Sequence, residues 1–165
     1  MKRKIIIIIS WLLVLAWMGV IYYLSDMNGI ESTNKSEKTI NLVIKKTIEK
    51  TNEVGITNKN PNSSKVSEIS EDLDYPLRKI MHAFVYFILT LFLINAFYQS
   101  GIKDKKMFIY SILICFLYAC SDEFHQSFSG RTSSFIDVLI DSFGGTLAIL
   151  IVLISKKIRK NIRLT

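Results

Sequence analysis

Residues able to do chemistry gather in three short stretches of the sequence. Arg78, Lys79, His82 and Tyr86 form the first, Asp122, Glu123, His125 and Gln126 the second, and Arg131, Asp137 and Asp141 the third. If each stretch is helical, spacing already sorts them. Arg78, His82 and Tyr86 recur at i, i+4 and i+8 along one stripe; Asp122, His125 and Gln126 share a face, and Asp137 and Asp141 share another. His82 and His125 can exchange protons near neutral pH. Asp122, Glu123, Asp137 and Asp141 can orient those imidazoles or bind a cation, and with the histidines they form the candidate catalytic set. Arg78 and Arg131 can clamp a phosphate or carboxylate bidentately. Lys79, Tyr86 and Gln126 complete the candidate substrate contacts.

Other chemistries lack a motif. Two histidines and several carboxylates could hold a divalent metal for assisted hydrolysis, but their spacing matches no HExxH-like pattern, so no ligand set is assigned and no cofactor is predicted. Ser121, Ser127 and Ser129 have no nucleophile-elbow context. Proton-gated transport is another use for such a cluster, although four helices are few for a transporter. Cys115 and Cys120 form no CxxC and no zinc-spaced pair with a histidine, and they read as small apolar side chains inside a hydrophobic run.

The elements that must position these residues are membrane helices. The chain has 165 residues, 50% hydrophobic and 21% charged, and the two classes fall into long separate blocks. Four apolar stretches, about 5–24, 80–98, 107–128 and 135–154, can each cross a hydrocarbon core about 30 Å thick. The first is too long for the core of a cleaved signal and is followed by no small-residue cleavage site, so it reads as an anchor. In the third, the purely apolar part from Met107 to Cys120 would reach only about 21 Å. A full crossing therefore draws Asp122, Glu123, His125 and Gln126 into the membrane.

Charge sets the expected orientation. The net charge of +7 arises from basic clusters flanking apolar runs, without the aromatic interleaving of a nucleic-acid surface. Lys2, Arg3 and Lys4, then Lys103, Lys105 and Lys106, then Lys156, Lys157, Arg159, Lys160 and Arg163 place both termini and the 2–3 loop in the cytoplasm. Residues 25–77 become a polar external loop, in which Ile40, Val43, Ile44 and Ile48 suggest an amphipathic helix over about 37–50. In this topology the three chemical stretches all lie at the external side, and Gly144, Gly145 and Ala148 continue the Asp137/Asp141 face as small residues that let another helix approach.

Several buried carboxylates left unpaired would cost several kcal/mol, on the order of a small protein's whole stability. They must be paired, hydrated, protonated or bound to something. Arg78, Lys79 and Arg131 nearly balance the four acids. The alternative to a functional site is thus a non-catalytic structural or interaction protein whose polar network only holds the bundle together.

The sequence resembles the VanZ-like family of small bacterial integral membrane proteins. The carrying residues are Ser121-Asp122-Glu123-Phe124-His125-Gln126-Ser127-Phe128, Gly130-Arg131, Asp137 to Asp141 and Gly144, with Arg78-Lys79-Ile80-Met81-His82 and Tyr86 upstream and Trp17 and Ser25 on the first helix. The chain departs from the family pattern at Val85, where an acid is common, at Ala83, where Phe is common, and at Ser129, the one residue between Phe128 and Gly130. The resemblance implies a multi-pass protein of the bacterial cytoplasmic membrane. It also implies a link to low-level resistance to the glycopeptide teicoplanin, with which the founding member is associated. Together with the spacing, this leads to the expectation of an all-α, four-helix, N-in/C-in cell-envelope protein. Its outward-facing polar site is expected to bind or process an anionic substrate, a lipid-linked cell-wall precursor or a phospholipid headgroup. Membrane lipids are expected partners and nucleic acid is not; the sequence gives no oligomeric state.

Overall fold

Long runs of Ile, Leu, Val and Phe with few Gly or Pro residues among them favour continuous helices, and in a membrane a helix satisfies its backbone groups internally. The computed structural model describes residues 2–26, 42–43, 46, 63–128 and 134–162, and among these all regular structure is α-helical. The helices are α1 (Lys2–Asp26), α2 (Ser63–Gln99), α3 (Asp104–Gln126) and α4 (Phe135–Ile162). Each contains a segment long and apolar enough to cross a membrane: Lys2–Ser25, Pro76–Gln99, Asp104–Gln126 and Phe135–Arg159. At 23–25 residues these are about 35 Å long.

Two compact units divide the chain, Met1–Asp26 with Met81–Thr165, and Met27–Ile80. In the second unit, α2 is already helical from Ser63, whereas the apolar signal in the sequence begins only at Ile80. Val66, Ile69 and Leu73 carry helical spacing through this polar segment. Of the amphipathic helix expected over 37–50, Leu42, Val43 and Lys46 are helical and the remainder lies outside the described residues.

In the first unit, polar side chains lock the helices together. Trp11 Nε1 donates to Ser100 Oγ at 3.1 Å, Asn95 Nδ2 to Ser10 Oγ at 3.2 Å and Trp17 Nε1 to the Val85 carbonyl at 2.9 Å, fixing α1 antiparallel to α2. The Tyr118 hydroxyl donates to the Met18 carbonyl at 2.6 Å and adds α3 to α1. Between α2 and α3, Gly101 adopts a left-handed φ of 91°. Its N–H donates to the Tyr98 carbonyl and that of Ile102 to the Phe97 carbonyl, the Schellman pattern that ends a helix and turns the chain sharply. The Lys156 ammonium over the Phe108 ring, 4.9 Å from its centroid, joins the end of α4 to the start of α3.

The apolar core between these helices contains Val14, Ile21, Tyr86, Leu89, Leu93, Met107, Cys115 and Ala119. Ser10, Ser25, Thr90, Ser111, Asp122, Glu123, Gln126 and Asp141 are buried beside them, while large apolar side chains such as Ile8, Leu15, Leu117, Phe143 and Ile154 point outward. Polar groups inside and hydrocarbon outside is the distribution expected of a bundle immersed in lipid.

Candidate functional site

The site is assembled where α3 ends and α4 begins. Ser134 caps α4: its Oγ accepts the Ile136 N–H at 3.2 Å, and its own N–H donates to Glu123 Oε2 at 3.0 Å. A carboxylate at the first turn of α4 also complements the positive end of that helix. Buried Glu123 is thereby committed to joining α3 to α4.

Three turns further along, small residues set how closely α4 can lie. A Cβ on Gly144 would collide with the Ala83 carbonyl oxygen, and one on Gly145 would stand 2.7 Å from Cys115 Sγ and 2.8 Å from Thr90 Oγ1. The backbone of α4 therefore touches the backbone of α2 directly. Asp141, one turn before Gly144, is brought beside His82, the residue before Ala83.

The result is a cluster drawn from three helices. His82 Nδ1 lies 4.0 Å from Asp141 Oδ1, with His82 23% exposed and Asp141 1%. One ligand-capable atom each from His82, Asp122 and Asp141 fall within 4.8 Å of one another. Asp122 is 4% exposed; its Oδ2 accepts the Gln126 Nε2 at 3.1 Å, whereas Oδ1 is buried and has no hydrogen-bond partner among the described residues. The fully buried Tyr86 lies within the electrostatic reach of both carboxylates.

Around this centre the remaining sequence candidates take different places. Gln126 orients Asp122, and the fully buried Tyr86 interacts with Asp122 and Asp141. His125 is half-buried against Tyr22, with ring centroids 4.5 Å apart. Asp137 is half-buried in the first turn of α4, its N–H donating to the Ser134 carbonyl at 2.9 Å. Arg78 and Lys79 are half-buried in the unit that ends at Ile80. Arg131 lies outside the described residues. Three positions that shape the site were not among the candidates: Tyr22, Ala83 and Ser134. Ser134 had a signal, since Ser134-x-x-Asp137 is a capping-box spacing; Tyr22 and Ala83 had none, because each matters through a neighbour on another helix.

Two buried carboxylates and one imidazole make a strongly cation-seeking centre. Such a group can hold a metal ion or an imidazolium, or pass a proton between His82 and Asp141. A family model described as VanZ/LLP1 matches residues 10–156, a range that includes all of these residues from α1 through α4. No curated protein and no solved structure matches the chain.

Proposed function

The chain belongs to the VanZ/LLP1 family, and from that membership and the buried cluster we propose that it binds, and acts on, an anionic headgroup presented at the membrane surface. The observation that carries this reading is the convergence of His82, Asp122 and Asp141 from three membrane-length helices. Ionisable groups placed so deeply are costly, and are kept chiefly where they serve a pathway or a site. On this reading Arg78, Lys79 and Arg131 attract the anion, while His82 and His125 handle protons. Asp122 and Asp141 set the charge that those histidines meet.

The proposal includes an orientation with both termini in the cytoplasm and the cluster toward the outer face of a bacterial cytoplasmic membrane, following the basic clusters. The substrate is then a lipid-linked cell-wall precursor or a phospholipid headgroup. Teicoplanin resistance is the envelope phenotype expected to depend on it. For Glu123 a second, structural reading is favoured, because its carboxylate is engaged by the Ser134 N–H.

Single replacements Asp122→Asn, His125→Ala and Arg131→Ala test the proposal. Membrane accumulation should persist, while copurifying anionic lipid, measured by mass spectrometry, and teicoplanin tolerance of expressing cells should fall. Loss of accumulation in every variant, with tolerance tracking protein amount alone, would favour a purely structural network.

A further inference from the structure

We infer that His82, Asp122 and Asp141 form a binding site for one divalent transition-metal ion of the Zn²⁺ or Mn²⁺ class. The inference builds on the reading of this cluster as a functional site and names the ion that it takes. Ligands around an ion with bonds of about 2.0–2.2 Å lie roughly 3–4.4 Å apart. The three candidate atoms lie within 4.8 Å of one another, so small side-chain rotations bring them to that spacing.

A second observation points to a ligand independently of that spacing. Asp122 is almost wholly buried, with Oδ2 fixed by Gln126 and Oδ1 buried near the Tyr86 side chain with no aligned hydrogen bond among the described residues. A buried carboxylate oxygen in this position destabilises the fold unless something binds it. Hydrogen bonding at one oxygen also aims the other, which is how ligating carboxylates are held in metal sites. An imidazole nitrogen among the donors favours zinc over magnesium and calcium, and the two carboxylates beside it also suit manganese.

Three protein ligands leave one or more coordination positions open. An anionic headgroup oxygen or a water can enter there, and this explains how an acidic centre accepts a negatively charged partner. The close approach of Gly144 to Ala83 gives the site its rigidity, since Asp141 and His82 flank that contact.

The test uses the full-length chain in mild detergent, stripped with a chelator and titrated calorimetrically with Zn²⁺ or Mn²⁺ alone. About one ion per chain is expected. Asp122→Asn, Asp141→Asn and His82→Gln should each weaken it by more than about 100-fold, and Gln126→Ala by about 10–100-fold, the range for residues that hold a ligand in place. Asp104→Asn should leave it unchanged. Absence of stoichiometric binding by the wild-type chain, or wild-type affinity in folded ligand variants, overturns the site. If the variants do not fold, pulsed electron paramagnetic resonance of the Mn²⁺-loaded wild type decides. The chain has 2 histidines, so one imidazole nitrogen coupling that survives His125→Gln supports the assignment, and its absence refutes it. Short-chain phosphatidylglycerol is titrated in parallel. An ion bound without lipid upholds the metal site and defeats the headgroup reading; lipid bound by stripped protein with no ion bound does the reverse.

Discussion

Asp122 holds one carboxylate oxygen against Gln126 and keeps the other buried in a centre that also contains Asp141. Two buried acids so close repel each other when both are ionised. Asp122→Asn keeps the shape and removes a charge, so the metal-free variant should melt at the wild-type temperature or above it, a gain of up to about 1–3 kcal/mol, while headgroup binding is lost. A thermal melt in detergent beside a lipid-binding assay reads both. Glu123 should behave in the opposite way: Glu123→Ala removes a hydrogen bond from Ser134 N–H to a charged acceptor, worth about 1.5–3 kcal/mol, and Glu123→Gln, which keeps an acceptor, should lose less. The sequence places both neighbours in the candidate catalytic set, although only Asp122 shares a face with His125 and Gln126. It recognises that Asp122 and Asp141 occupy favoured faces, but only the fold shows that Glu123 is spent on capping α4, because the partner is a backbone N–H whose position no residue type announces.

Among the elements, α4 depends on its glycines. Gly144→Ala forces a methyl into the Ala83 carbonyl, so α4 must move away from α2, lowering thermal stability by about 1–3 kcal/mol and separating Asp141 from His82. Gly19, which has nothing within 4 Å of an added Cβ, is the matched control: Gly19→Ala on α1 should be neutral or slightly stabilising, by up to about 1 kcal/mol. The small-residue stripe of Gly144, Gly145 and Ala148 was visible in the sequence, and it implied a close helix without saying which one. Gly144 meets the α2 backbone at Ala83, a position without chemistry of its own, and Gly145 meets Cys115 on α3 and Thr90 on α2. The start of α2 was not legible from apolar content, since the hydrophobic signal rises only near Ile80 although the helix begins at Ser63. Weakly apolar turns with Val66, Ile69 and Leu73 are helical by spacing yet too polar to register as a span.

For the molecule as a whole, outward Ile, Leu and Phe with inward Ser, Thr, Asp and Glu follow from a solvent that is itself hydrocarbon. The blockwise composition made four helices readable in advance, because span length is fixed by membrane thickness. Orientation belongs to this scale too. With Cys115 and Cys120 replaced, a membrane-impermeant maleimide applied to intact cells should label Ser63→Cys and spare Lys105→Cys until the membrane is opened; the reverse pattern would invert the proposed topology. The contacts of α1 carry one further consequence. Both tryptophans of the chain, Trp11 and Trp17, lie on α1 and donate to groups on, or just after, α2. The indole emission of the chain therefore comes entirely from the seam where its first helix meets the rest, and its colour is a built-in, label-free gauge of whether that helix is seated.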